Sequence, residues 1–146
     1  MSLTQASSDD GEELVALRID AMRESLESIG RFEPARARER FLSSFEPSRT
    51  RHIELGGIRV GFFVLKPIEG ALLLDHLYVR PQFQSRGIGA AVLHVVFGEA
   101  AEQALAVKVG ALRGSRSNQF YKKNGFTQVE QTEFDNYYLH GGALRC

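Results

Sequence analysis

The chain has 146 residues, of which 43% are hydrophobic and 25% are charged. This length and balance are typical of one globular domain, and they exclude a disordered or fibrous chain. Lysine plus arginine and aspartate plus glutamate number 18 each, so the formal net charge is +0. A neutral chain has no general attraction for nucleic acid or for an anionic membrane, and we expect neither as a partner.

Cysteine and targeting signals are sparse. The one cysteine, Cys146, excludes an intrachain disulfide and a zinc site made of cysteine pairs, and the histidines lack metal-ligand spacing, so we expect no metal. Residues 1–10 lack a basic stretch followed by an apolar one, and no apolar run approaches the ~18 residues that span a bilayer. One domain over residues 1–146, located in the cytoplasm, is therefore predicted.

Two helices are predicted in the first third of the chain. Asp9 and Glu12 have the spacing of a capping box, and apolar residues follow at helical intervals, which predicts a helix over residues 10–28. Pro34 is suited to the first turn of a second helix, and Phe41 lies on its apolar side.

After the second helix the pattern changes to strands. Paired glycines at 56 and 57 supply the positive φ angles of a tight turn and predict a hairpin. The apolar run at 71–79 predicts a strand covered on both faces. The predicted strands are residues 3–6, 51–55, 59–66, 71–79, 105–111, 126–133 and 137–140, with later helices over 87–103 and 115–123. This order predicts a mixed α/β sheet with helices on its faces.

The stretch after the strand at 71–79 carries the strongest chemical signal. The strand ends at Val79, and Gly87 and Gly89 then open an apolar helix. The first N–H groups of a helix lack internal partners, and the helix dipole adds positive charge, so this end of the helix suits a phosphate. Arg80 and Arg86 are placed to add charge-assisted hydrogen bonds.

Two other interpretations of these glycines exist. Two glycines before a helix can simply make a tight turn. A dinucleotide-binding fingerprint would require a third glycine at position 92, where the chain has Val92, and parallel strand–helix–strand units around it. The strands before this segment form a meander instead, which disfavours that interpretation.

The segment Val79-x-Pro81-x-x-Gln84-x-x-Gly87-x-Gly89 resembles motif A of the GNAT superfamily of acyl-CoA-dependent N-acyltransferases. The order of predicted elements is similar to that family over nearly the whole chain. The resemblance implies a single-domain α/β (α+β) fold. Its sheet would be mixed but mostly antiparallel, flanked by helices, and splayed between strands four and five.

A second segment, from Ser117 through Tyr121 to Gly125 and Phe126, resembles motif B of the same superfamily. The two motifs together imply transfer of an acetyl or other acyl group from acetyl-CoA to a primary amine, by direct attack in a ternary complex. They also imply the residues that bind the coenzyme, some through backbone and some through side chains. These are Leu77, Tyr78, Val79, Gln84, Ser85, Arg86, Gly87, Ile88, Gly89, Ala90, Asn118 and Tyr121.

Tyr121 matches the motif B tyrosine, which the resemblance implies is the general acid for the leaving thiolate. The alternative is that Tyr121 is only a core residue of its short helix. Asn118 lies one helical turn earlier and is implied as a coenzyme contact, with a capping amide or an exposed polar residue as alternatives. The family's more usual asparagine position falls at Gly114 and Ser115 here, and Ser115 could instead cap the helix.

The general base is open between two residues. Relatives often place a glutamate where this chain has Leu73, so the resemblance supplies no base there. Asp75 shares a strand face with Leu77, and we expect the apolar strand to bury it. His76, on the other face, is the second candidate base.

The acceptor is not defined by the motifs. The resemblance implies that it contacts residues 29–45 and 134–140, and it leaves open a small amine or the amine of a peptide or protein. A homodimer is possible. The alternative function is a non-catalytic module that binds or senses acyl-CoA on the same fold.

Overall fold

The computed structural model describes residues 1–28, 30 and 33–141. Its helices are α1 (Gly11–Ser28), α2 (Pro34–Ser44), α3 (Ile88–Glu102) and α4 (Ser117–Lys123). Short 3₁₀ turns cover Ser8–Asp10, Pro47–Arg49 and Pro81–Phe83. The strands are β1 (Ser2–Gln5), β2 (Thr50–Leu55), β3 (Ile58–Ile68), β4 (Ala71–Val79), β5 (Ala106–Leu112), β6 (Thr127–Gln131) and β7 (Asp135–His140).

The strands of this described part form one sheet in the order β1-β2-β3-β4-β5-β7-β6. β4 and β5 are parallel, whereas β1–β2, β2–β3, β5–β7 and β6–β7 are antiparallel. The mixed, mostly antiparallel sheet flanked by helices is therefore confirmed. The parallel ladder joins residues 71–74 to residues 106–109, and β4 continues to Val79 beyond its last pair.

The local signals in the sequence predicted most elements to within two residues. Gly56 and Gly57 have φ angles of +55° and +83° and make the β2–β3 turn. The N-terminus of α1 differs: the backbone N–H of Ser7 donates to the Asp10 carboxylate at 2.9 Å, so a 3₁₀ turn precedes the helix. The capping pair is therefore Ser7 and Asp10, two residues earlier than the pair Asp9 and Glu12 that the sequence predicted.

The described residues divide into two compact units, and the prediction of one domain over 1–146 stays a prediction. The first unit comprises Met1–Val64 and His76–Ile88. Its core joins α1, α2 and β3, because an amphipathic helix stabilises a fold by burying its apolar stripe. The buried side chains are Leu14, Val15, Leu17, Phe41, Phe62 and Val64.

The second unit comprises Leu65–Asp75 and, within the described range, residues 89–141. α3 is apolar over most of its length, and its side chains Val92, Leu93 and Val96 are fully buried. Val109 of β5 and Tyr138 of β7 are also fully buried. Burial of this kind stabilises each side chain by roughly 1.5–3 kcal/mol relative to exposure.

A buried polar cluster in the first unit ties the start of α1 to the sheet. His52 is 1% exposed, and its Nε2 lies 2.8 Å from Oδ2 of Asp10. Nη1 of Arg59 lies 3.4 Å from the same carboxylate and 2.7 Å from Glu13. The pKa of Asp10 is lowered from 3.8 to about 2. The largest cause is the hydrogen bond from the Ser7 backbone N–H, and the second is the hydrogen bond with His52.

The depressed pKa of Asp10 predicts a pH-dependent stability. A carboxyl group that titrates at about 2 when folded and at 3.8 when unfolded stabilises the fold above pH 4, and the stabilisation is lost as the pH falls toward 2. We expect Asp10→Asn to lower the free energy of unfolding at pH 7 by on the order of 2 kcal/mol. Urea denaturation at several pH values checks this. The difference between the two proteins should shrink from pH 4 to pH 2, and a constant difference would contradict it.

Candidate functional site

The end of β4 is held close to β3 by a glycine. A Cβ atom on Gly61 would collide with the carbonyl oxygen of Tyr78 and would lie 3.2 Å from the Cα atom of Val79. Only a residue without a side chain therefore allows β3 to pass this near to β4. Both strands contribute to the first unit at this point, so the position of the Val79 end depends on Gly61.

The residue after β4 anchors the following loop to β3. The backbone N–H of Arg80 donates to the carbonyl oxygen of Val60 at 2.8 Å, and its Nε donates to the carbonyl oxygen of Arg59 at 3.0 Å. One N–H of the Arg80 guanidinium is therefore already hydrogen-bonded within the protein. The Cζ atom of Arg86 lies 5.2 Å from the ring centroid of Phe83, a cation–π contact across the 3₁₀ turn.

The side chain of Gln84 closes this loop back onto the strand. Its Nε2 donates to the carbonyl oxygen of Val79 at 2.9 Å. Ser85 and Gly87 then have positive φ angles of 63° and 80°, which reverse the chain before α3 begins at Ile88. Residues 84–87 are exposed. The loop is thus stabilised by the Gln84 side chain, and it is exposed to solvent immediately before the N-terminus of α3.

Gly87 and Gly89 are each required to be glycine for a different physical reason. Gly87 has a positive φ, and an added Cβ would meet no described atom within 4 Å, so the space beside its backbone is open. Gly89 is already helical, and a Cβ there would lie 2.9 Å from Cζ of Phe120. Gly89 therefore makes room for an α4 side chain, and coenzyme contacts at Gly87 and Gly89 both stay predictions.

In the second unit, Asn118 fastens the first turn of α4. It is 8% exposed, and its Nδ2 donates to the carbonyl oxygens of Leu112 at 2.7 Å and Ser115 at 2.9 Å. Its Oδ1 accepts from the Tyr138 hydroxyl at 2.7 Å and from Asn136 at 2.8 Å. Both ends of the amide are bonded within the protein. The alternative that Asn118 is an exposed polar residue is wrong, and its contact with the coenzyme stays a prediction.

The start of α4 also differs from its predicted form. The N-cap position of α4 is Arg116, and no side-chain hydrogen bond caps the helix there; the hydroxyl of Ser115 instead donates to the carbonyl oxygen of Leu112 at 2.8 Å. The helix begins at Ser117. A seven-residue helix has little intrinsic stability in isolation, so the bonds of Asn118 do much of the positioning.

Tyr121 lies one turn after Asn118 and is 6% exposed. Its ring contacts Phe126 edge-on at a centroid distance of 5.2 Å, and the rings of Phe120 and Tyr138 lie at 5.4 Å and 6.1 Å. This cluster restricts the ring to one orientation. Low local polarity strengthens any hydrogen bond that its hydroxyl makes.

The two candidate bases have different surroundings. Asp75 has a side chain that is 38% exposed, and its Oδ2 lies 3.2 Å from Nζ of Lys66. The expectation that the strand interior buries Asp75 is wrong, because its side of β4 is open to solvent and to Lys66. His76 is half-buried in the first unit, and its ring lies 5.5 Å from Phe41 and 5.6 Å from Tyr78.

The described residues contain neither a metal-binding group nor a membrane-spanning helix. Across 1–28, 30 and 33–141, no three His, Cys, Asp or Glu side chains form a group that could hold a metal ion. No helix in the same residues is long and apolar enough to cross a membrane. Cys146 and residues 29, 31 and 32 lie outside the described residues.

Comparison with known families decides the assignment. A sequence model of the Acetyltransferase (GNAT) domain matches residues 48–128, more than half of the chain. The chain belongs to the GNAT family. The matched residues run from β2 through α4 and include both motifs of this GNAT protein. No curated protein sequence matches the chain.

Solved structures show the same fold at low sequence identity. A PaiA N-acetyltransferase from Thermoplasma acidophilum, in complex with coenzyme A, has a TM-score of 0.75 at 17% identity, covering 96% of this chain and 98% of its own. YjaB from Escherichia coli, in its apo form, has a TM-score of 0.77 at 18% identity, covering 97% and 98%. An acetyltransferase from Thermus thermophilus has a TM-score of 0.75 at 17% identity, covering 96% of both chains.

Several residues that shape the motifs of this GNAT protein were not singled out from the sequence. Gly61 sets the approach of β3 to β4, and Asn136 with Tyr138 completes the bonds of Asn118. A glycine inside an apolar strand is a signal of close backbone approach, and Gly61 could have been found in that way. The bonds of Asn118 carry no such signal, because their partners lie 18 and 20 residues away.

Proposed function

We propose that this GNAT protein transfers an acetyl group from acetyl-CoA to a primary amine, by direct attack of the amine within a ternary complex. The observation that carries the proposal is the loop before α3. Within the matched GNAT region, it holds an exposed backbone at residues 84–87 with open space at Gly87. That arrangement suits a phosphate, which accepts hydrogen bonds from backbone N–H groups at a helix N-terminus.

The coenzyme contacts are proposed in two stretches of the chain. Backbone groups of Leu77 and Val79 would pair with the amides of the pantetheine arm, supported by their position beyond the last β4–β5 pair. Backbone N–H groups from Ser85 to Ala90 would bind the pyrophosphate, whereas the predicted contribution of Gln84 changes because its backbone N–H already donates to the carbonyl oxygen of Pro81 at 3.2 Å. Tyr78, Ser85, Arg86 and Ile88 belong to the same stretches. Asn118 would contribute by fixing α4, because its amide already bonds within the protein.

The proposed reaction needs one proton removed and one supplied. The attacking nitrogen must be uncharged, and Asp75 and His76 are the candidate bases, acting directly or through an ordered water. The carbon–sulfur bond of the thioester breaks as the amide bond forms, and the sulfur leaves with the electron pair. The hydroxyl of Tyr121 is proposed to donate a proton to that sulfur.

We also propose a cytoplasmic location. The proposed acceptor is the amine of a small molecule, a peptide or a protein. Homodimerisation is a further hypothesis. The alternative function is a non-catalytic module that binds or senses acyl-CoA on the same fold.

Two measurements test the function. Acetyl-CoA should raise the melting temperature by mass action, because a ligand that binds only the folded state stabilises it, by about 2.7 kcal/mol at 100 times its Kd. NAD should produce a smaller shift. With a panel of amines, free thiol should be released only when acetyl-CoA and an accepted amine are both present. A melting shift without thiol release from any amine would favour the sensing module, and a shift with NAD alone would refute coenzyme A binding.

A further inference from the structure

An arginine on α1 stands beside the end of β4 in the first unit. Arg18 is half-buried, and its Cζ atom lies 5.8 Å from the centroid of the Tyr78 ring. Its Nε donates to the Tyr78 hydroxyl at 3.4 Å. These contacts hold the guanidinium against the strand that carries Leu77 and Val79, instead of letting it extend into solvent.

Among the side chains that the structure describes, no carboxylate forms an ion pair with Arg18. Arg38, by contrast, pairs with Glu12 and Arg59 with Glu13. Arg40, unlike Arg18, is exposed to solvent. A half-buried guanidinium without a counter-ion loses hydration and gains no pairing energy. Its planar array of donors is suited to a carboxylate, which it can bind through two parallel hydrogen bonds.

The surroundings of Arg18 are aromatic. The ring of Tyr78 lies 5.6 Å from that of Phe62 and 5.6 Å from that of His76, and Phe41 is 5.5 Å from His76. Nδ1 of His76 lies 3.3 Å from the same hydroxyl that Arg18 contacts. The guanidinium and one candidate base therefore approach the hydroxyl of Tyr78 together. Because both groups lie within 3.4 Å of one oxygen atom, the arrangement suits a molecule in which an amine and a carboxylate are close neighbours.

We propose that Arg18 binds the carboxylate of the acceptor, and that the acceptor is a free α-amino acid with an apolar side chain. This inference rests on the proposed N-acetyltransferase function and names its substrate class. The amine would lie toward His76, the carboxylate would pair with Arg18, and the apolar side chain would contact the aromatic rings. A polyamine would meet like charge at Arg18, and a protein N-terminus has no carboxylate beside its amine.

The test compares matched acceptors in wild type and in Arg18→Gln. Phenylalanine and leucine are measured against phenylalaninamide and leucinamide, which lack the carboxylate, by thiol release from acetyl-CoA. The amide also makes the amine less basic, so the informative quantity is the ratio of kcat/KM between acid and amide. We expect Arg18→Gln to lower that ratio roughly 10–100-fold, the effect of losing a hydrogen-bonded charge partner, mainly through the KM of the amino acid.

Two further variants sharpen the comparison. Arg49→Gln, which removes an exposed arginine of the Pro47–Arg49 turn outside both acceptor segments, should leave the ratio unchanged. Arg18→Lys keeps the charge without the fork of donors and should fall between wild type and Arg18→Gln; it also serves as the test if Arg18→Gln fails to fold.

The outcomes separate the two proposals. If thiol is released, but neither Arg18→Gln nor Arg18→Lys changes the ratio of kcat/KM between amino acid and amide, the role of Arg18 is overturned and the transferase function stands. Thiol release with spermidine but with neither amino acid would also overturn the substrate class while leaving the transferase function standing. No thiol release with any amine would overturn the proposed function and this inference with it. A loss of selectivity for the acid over the amide in Arg18→Gln that is absent from Arg49→Gln supports the inference.

Discussion

Tyr121→Phe is expected to lower kcat roughly 10–1,000-fold and to leave the KM for acetyl-CoA nearly unchanged, in line with the loss of one preorganised donor. The thioester sulfur carries little charge before reaction, so the hydroxyl stabilises the leaving thiolate only as charge develops. The ring would stay packed against Phe126. Steady-state kinetics with varied acetyl-CoA, alongside thermal melting, separates these effects.

Tyr138→Phe is the matched control for Tyr121→Phe. It also removes a hydroxyl from the same ring cluster, but that hydroxyl donates to Asn118 and is fully buried. It should lower the melting temperature with a smaller effect on kcat. Equal losses of kcat in both variants would make Tyr121 a structural residue. An acyl donor with a more acidic thiol should shrink the Tyr121→Phe defect, because its leaving group needs less help.

Gly87→Val is expected to weaken coenzyme A binding on the order of 100-fold, the effect of losing one or two charge-assisted hydrogen bonds. Its φ is +80°, which a β-branched residue tolerates poorly, and the branched side chain would occupy the open space beside the loop backbone. Because no described atom lies within 4 Å of the new Cβ, the clash should be with the ligand and not with the protein. Isothermal titration with coenzyme A measures the change in Kd.

Gly70→Val supplies the control for backbone strain. Gly70 lies in the β3–β4 turn with a φ of +77° and, like Gly87, has open space at its Cβ position. Both variants should lose similar stability in urea, but only Gly87→Val should lose coenzyme A affinity. Unchanged affinity in Gly87→Val would place the phosphate site elsewhere in the chain.

The parts of the fold that could be predicted from sequence are those with local causes. Gly56 and Gly57 make a turn because neighbouring residues need positive φ, and Pro34 begins α2 because its missing N–H costs nothing in the first turn. The apolar run of β4 predicted its bounds correctly, Ala71–Val79. Motif A was likewise visible because its glycines and glutamine are close together in the chain.

The features that could not be predicted depend on residues far apart in sequence. The exposure of Asp75 follows from its side of β4 and from Lys66 on β3, not from its apolar neighbours. The 2.7 Å bond between Tyr138 and Asn118 requires β7 to lie beside β5. The unpaired Arg18 becomes visible only when its distances to every described carboxylate are known.

The close approach of Gly89 to Phe120 makes the residue that is tolerated in motif A depend on the residue present in motif B. The Cβ position of Gly89 lies 2.9 Å from the Phe120 ring, so a larger residue at 89 requires either that this ring moves or that position 120 holds a smaller residue. Among homologous chains, the sizes of these two positions should therefore covary, whereas position 87 should vary independently of position 120. A chimaera that takes α4 from another family member would need to take the residue at 89 from the same donor.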